Sequence, residues 1–242
     1  MASVHVPPHP PFDADLPVRL ILSPARALAP DIERRVTAAA DLFCRFARGG
    51  AFPEVKTGTA ARVSLAGGIC YVDLQEVPAD PAALGVLGRM LLALPDKWGS
   101  INVAGTPARR PERALEPLPS SLSLVPGRRS PLSVKCDLEP VIDWYSVEIT
   151  RHSGWRDEDF PVLQDGADLW MDVCRAGGLS EITPDFDVTP GSVGMDPPEA
   201  GEDYWSAQIA SNDLNFGAIL SLINILDHAS RTRVPFDVIS VT

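Results

Sequence analysis

An α+β protein of two tandem ferredoxin-like (βαββαβ) halves, forming an intrachain pseudo-dimer, is what this 242-residue sequence predicts. Three observations carry that expectation. Ala40-Asp41-Leu42-Phe43, Arg48-Gly49-Gly50 and Glu54-Val55 are echoed without a gap by Ala167-Asp168-Leu169-Trp170, Arg175-Ala176-Gly177 and Glu181-Ile182, six identities in sixteen positions. Each echoed segment follows a strand-like run and precedes hairpin-like material, an apolar helix and a short strand, the trace of one supersecondary unit used twice. The register between the copies also drifts in one direction, and the added residues of the second copy fall where loops are expected.

In chain order, residues 1–16 carry Pro7, Pro8, Pro10 and Pro11 and read as an extended arm. The first module spans 17–105. Val18 to Leu22 is an apolar run suited to a central strand. From Asp31 to Arg48, Ile32, Val36, Ala39, Phe43 and Phe46 make one helical stripe, which Gly49-Gly50 stops. Ala61 to Leu65 and Cys70 to Glu76 flank Ala66-Gly67-Gly68 as a hairpin. Asp80-Pro81 opens a second helix with Leu84, Leu87, Leu91 and Leu94 in its stripe, and Ile101 to Val103 forms the last strand.

Residues 106–140 are rich in Pro, Ser and Arg, including Arg109, Arg110, Arg113, Arg128 and Arg129, and read as a linker. The second module spans 141–242. Trp144 to Thr150 alternates, with Tyr145, Val147 and Ile149 on the apolar face. The helix that follows carries Leu163, Ala167, Trp170 and Val173, which match Val36, Ala40, Phe43 and Phe46 one for one. A strand at Ile182 to Val188, an acidic loop, a strand at Tyr204 to Ala210, an apolar helix from Leu214 to Leu226 and a strand at Phe236 to Val241 complete the copy. A sheet of this type packs helices on one face only. Its other face is expected to meet the sister sheet, a ligand or a partner, and function is expected there.

Composition narrows the function classes. With a net charge of −11, the chain lacks the positive surface that nucleic-acid binding needs to displace counterions. No apolar stretch reaches the roughly 18 residues needed to span a bilayer, and Met1 to Pro17 has neither a basic start nor an apolar core of a signal peptide. The four cysteines, Cys44, Cys70, Cys136 and Cys174, show no paired spacing and suit free thiols in a reducing cytoplasm.

No nucleophile, metal or nucleotide motif emerges, and no catalytic residue, metal ligand or cofactor is assigned. Gly191-Ser192-Val193-Gly194 lacks the Lys and the helix start of a phosphate-binding loop. His152-Ser153-Gly154-Trp155-Arg156-Asp157 holds an imidazole, a hydroxyl and a carboxylate, but reads as a strand-to-helix turn in which Ser153 or Asp157 caps the helix. The densest charge feature is acidic: between Gly177 and Tyr204 no basic residue occurs. Asp185, Asp187, Asp196, Glu199, Glu202 and Asp203, with Tyr204 and Trp205 as aromatic anchors, are the expected partner-binding residues.

The sequence therefore points to a non-enzymatic, cytoplasmic protein that binds a basic protein, in the manner of an inhibitor or immunity-type antidote. One alternative is an enzyme or small-ligand protein with a pocket between the two sheets, for which His152, Asp157 and Cys70 are the residues to inspect. Another is a structural subunit that docks through the helix at Leu214 to Leu226. The oligomeric state is left open.

Overall fold

The computed structural model describes residues 3–5, 18–52, 57–77, 81–95, 98–105, 133–136, 144–180, 193–196, 198–211 and 216–242. The first half contains β1 (Ser3–His5), β2 (Val18–Pro24), α1 (Ile32–Arg48), β3 (Ala60–Ala66), β4 (Ile69–Gln75), α2 (Pro81–Leu92) and β5 (Trp98–Gly105). The second contains β6 (Ser133–Cys136), β7 (Trp144–Thr150), α3 (Phe160–Arg175), β8 (Val193–Met195), β9 (Glu199–Ala200), β10 (Tyr204–Ser211), α4 (Phe216–Thr232) and β11 (Val238–Val241). The sheets have the orders β1-β5-β2-β4-β3 and β6-β11-β7-β10-β8, with β9 also on β10. Without the outermost β1 and β6, each order runs last, first, third, second strand of a βαββαβ unit. That is the ferredoxin-like arrangement, present twice in tandem.

The duplicated unit is larger than the sequence echo. β1 lies parallel to β5 and β6 parallel to β11, so an extra edge strand precedes each unit. These strands fall within residues 1–16 and 106–140. The strand expected at Ile182 to Val188 lies outside the described residues, and the strand that pairs with the far edge of β10 is β8.

The echoed helices occupy corresponding places for a visible reason. Val36, Ala40, Phe43 and Phe46 on α1, and Leu163, Ala167, Trp170 and Val173 on α3, are all at most 2% exposed. Both helices also end alike. Gly50 (φ 89°) and Gly177 (φ 78°) adopt the left-handed conformation that glycine enters without a Cβ penalty. The amide of the next residue reaches back five positions in each case, Ala51 to the Phe46 carbonyl at 3.3 Å and Gly178 to that of Val173 at 3.0 Å. The glycine amides bond Ala47 at 3.2 Å and Cys174 at 2.8 Å, which completes a Schellman motif at each helix end.

The two units meet through their helices. α1 packs on α3, and Asn224 of α4 bonds the Ala51 carbonyl across the boundary. A Cβ at Gly49 would stand 2.9 Å from Leu169, and one at Gly178 would stand 2.9 Å from Met90, so glycines permit the close approach. Much of α4 is covered: Ala218, Ile219, Leu222, Ile223, Ile225 and Leu226 are buried in one core that includes residues of both units, while Leu220 and His228 are half-buried and Arg231 and Thr232 exposed. Among the described residues the main contacts between the units are made by helices and not by the two sheets.

The faces turned away from the helices mix polar and apolar groups. In the first sheet Arg19 faces Asp73 across the β2–β4 ladder, with nitrogen to oxygen distances of 2.5 and 2.9 Å, and its guanidinium lies 5.3 Å from the centre of the Tyr71 ring. Among the described residues, no helix is long and apolar enough to cross a membrane.

Candidate functional site

The open face of the second sheet is set by alternation. Tyr145, Val147 and Ile149 of β7 point to the helices and are buried, so Trp144, Ser146, Glu148 and Thr150 point away. Register then builds rows across this face. Glu148 stands opposite Ser206 of β10 and Ser240 of β11. Ser206 stands opposite Glu199 of β9, and Ser240 opposite Lys135 of β6. One row therefore runs from Glu199 to Lys135 with Glu148 in its middle.

Trp144 begins the neighbouring part of the face and is 56% exposed. Its partner across the ladder is Ala210, which in turn faces Gly194 of β8. A Cβ placed on Gly194 would meet nothing within 4 Å, so the indole stands beside small groups and open space. An indole presented this way can stack on an apolar group or lie under a cation.

Four of the carboxylates expected to bind a partner lie along the edge and end of the same sheet. Asp196, Glu199, Glu202 and Asp203 are exposed. The backbone carbonyls of Glu202 and Asp203 accept hydrogen bonds from Trp155 at 3.2 Å and Arg151 at 2.9 Å, which anchors this turn to the loop before α3. Tyr204 is half-buried, faces outward opposite Thr150 and lies over Gly201. Asp185 and Asp187 lie outside the described residues.

Trp205 requires a correction. It is only 3% exposed and stands opposite Ile149 on the helix-facing side, so it belongs to the core and is no surface anchor. The parity was legible: Trp205, Ala207 and Ile209 alternate with Tyr204, Ser206 and Gln208. The same rule identifies Trp144 and Glu148, which the charge-based reading passed over.

The turn from 151 to 159 is organised around a buried ion pair. The Arg151 guanidinium bonds the Asp159 carboxylate at 2.5 Å and the Ser153 hydroxyl at 2.8 Å, and lies 5.7 Å from the Trp155 ring centre. Asp159 also accepts from the Arg156 amide at 3.1 Å. Asp159 occupies the N-cap position of α3 with no capping bond from its side chain, and neither Ser153 nor Asp157 stands there; both of those residues are exposed. His152 is exposed as well, and its backbone amide donates to Asp237 at 2.9 Å.

The residues of the enzyme alternative are not brought together. Cys70 lies on the inner face of the first sheet, whereas His152 and Asp157 lie in a turn of the second unit. Burial, with Glu33 adding to it, pushes the Cys70 thiol up to about 11. Such a thiol carries almost no thiolate near neutral pH. The cleft found among the described residues is not lined by the two sheet faces. It lies instead between helices. Among the described residues, no three His, Cys, Asp or Glu side chains converge as a metal site.

No family model matches this chain, and no curated protein matches it. Two solved structures are similar over most of its length. One is an unknown protein from Galdieria sulphuraria, with 10% identity over 94% of this chain and 96% of that one, at a TM-score of 0.21. The other is a mutant of the ferredoxin protease FusC in complex with Arabidopsis ferredoxin, with 9% identity over 92% of this chain and 34% of that one, also at 0.21. This chain thus spans about a third of the protease. At scores this low neither likeness bears on function, and the ferredoxin-like assignment rests on the strand orders above.

Proposed function

We propose that this chain is a non-enzymatic cytoplasmic protein that binds a basic protein through the open face of its second sheet and the acidic edge beside it. The observation that carries this reading is Trp144: an indole 56% exposed on a sheet face that no helix covers among the described residues, with Ser146 and Gln208 in the adjoining row and Glu148 and Glu199 in the row after it. A face with a large aromatic and carboxylates farther along it offers a Lys- or Arg-rich surface both a ring to lie on and charges to pair with. It repels phosphate, which speaks against a nucleic-acid ligand. An inhibitor or immunity-type antidote of a basic enzyme is the role that fits, because complementary charge accelerates capture and selects the partner. The buried thiols of Cys44, Cys70 and Cys174 suit a reducing compartment.

The test is retention of host proteins on the immobilised chain, compared among wild type, Trp144→Ala and the double variant Glu148→Gln/Glu199→Gln. The expected result is a basic partner retained by wild type, lost from both variants and eluted by raised salt, since screening within about 8 Å at physiological ionic strength weakens exposed charge pairs. Retention that ignores salt and survives both variants would defeat the reading.

A further inference from the structure

The internal duplication allows one side of the molecule to be read against the other. α1 and α3 end in the same motif, at Gly50 and Gly177. Beside Gly50 the surface is filled: His228 of α4 lies so close that a Cβ on Gly50 would collide with it. α4 reaches that far because it is 17 residues long. Its counterpart α2 has 12 and stops at Leu92. Beside the end of α3 the molecule instead has an open cleft of about 370 Å³, at the small end of the size range of ligand sites.

The walls of this cleft are apolar, with Leu42 from α1, Met90 from α2 and Leu94 just beyond it, and Ala176 after α3. Two guanidiniums complete the lining, those of Arg35 and Arg175. Arg35 is held by Asp31 at 2.6 Å. Arg175 makes only long contacts, 3.5 Å to the Val193 carbonyl and 3.9 Å to the Met171 sulfur, and pairs with no carboxylate among the described residues. A guanidinium has five donors in a fork that matches a carboxylate. The helix terminus accounts for a cation at Arg175. It does not account for an apolar cleft next to that cation.

We propose that this cleft binds an alkyl carboxylate, with the chain against Leu42, Met90 and Leu94 and the carboxylate on Arg175. The site is separate from the face at Trp144 and stands or falls independently of it.

The experiment is calorimetric titration of the full chain with decanoate and, as the uncharged control, decyl alcohol. Decanoate is expected to bind saturably and at least tenfold more tightly than the alcohol. Arg175→Gln should weaken decanoate at least tenfold. Ala38→Trp, at an exposed position of α1 that lines the cleft, should abolish binding while the melting temperature is retained. Trp144→Ala should leave it unchanged. No saturable binding by folded wild type, equal binding of acid and alcohol, or indifference to both cleft variants would each overturn the proposal.

Discussion

The side-chain amide of Asn224 donates to the backbone carbonyl of Ala51 at 3.1 Å, and so ties the middle of α4 to the residue that closes the Schellman motif of α1. Asn224 is 2% exposed and Ala51 fully buried, so neither group can turn to water. Asn224→Leu should strand that carbonyl and cost about 1–3 kcal/mol, the penalty for a buried acceptor left without its donor. Urea unfolding is the measurement, and an unchanged midpoint would show that the bond contributes nothing across the boundary.

Gly50 tests the same junction from the other side. Gly50→Ala must place a Cβ at a left-handed φ, at a cost of roughly 1–2 kcal/mol, and against the His228 side chain as well. If the clash matters, the double variant Gly50→Ala/His228→Ala should recover part of the loss. A double-mutant cycle that gives no coupling would mean the strain is purely backbone.

Trp170 and Phe43 are equivalents in the two units, both fully buried. Each truncated to Ala should lose about 3–5 kcal/mol, as large core deletions do. Trp170→Phe should also be felt, because the indole N–H donates to the Ala218 carbonyl at 2.8 Å. Single cooperative transitions for both truncations would show that the two units unfold as one, as their shared core requires.

Asp159→Ala should leave the Arg151 guanidinium charged and buried without its carboxylate, at a cost of about 3–5 kcal/mol. Trp144→Ala, on the open face of the same unit, should change stability by less than about 0.5 kcal/mol. Thermal melts of the two variants separate the structural turn from the binding face.

Alkaline stability follows from the thiols. Burial raises Cys44 to about 11, with Asp41 adding to the shift, and raises Cys70 to the same value. The unfolded thiols ionise near about 8.5. Above that pH the unfolded chain loses protons that the folded chain keeps, so stability should fall from there until the folded thiols ionise at about 11. The double variant Cys44→Val/Cys70→Val should show a shallower fall over that window, measured by urea unfolding across the pH range.

The features that could be read in advance are those with a short repeat. The stripe Val36, Ala40, Phe43, Phe46 and its copy Leu163, Ala167, Trp170, Val173 announce two helices in equivalent roles, because a helix returns to one face every few residues. Gly50 and Gly177 mark their ends, since only glycine takes a left-handed φ freely. The pairing of β1 with β5 and of β6 with β11 carries no such local sign. Those partners are far apart in sequence, and hydrogen bonding between backbones asks little of the side chains.

The candidate face was half legible. Local charge singled out Glu199, Glu202 and Asp203, but charge says nothing about direction, and so Trp205 was counted with Tyr204 although strand alternation turns it inward. Trp144 and Glu148 came into view only when the register of β7, β10 and β11 placed them in rows.

What the chain of residues settled alone was the number and kind of its units, because helix stripes, strand alternation and glycine stops are short-range. Which faces of those units meet was decided in three dimensions. Each helix has one side that suits a sheet and another, lined by alanines, glycines and the largely apolar α4, that suits a second helix layer, and only assembly of both units shows that the second contact forms. That choice leaves the face with Trp144 open, and leaves the cleft beside Arg175 where α2 is too short to fill it.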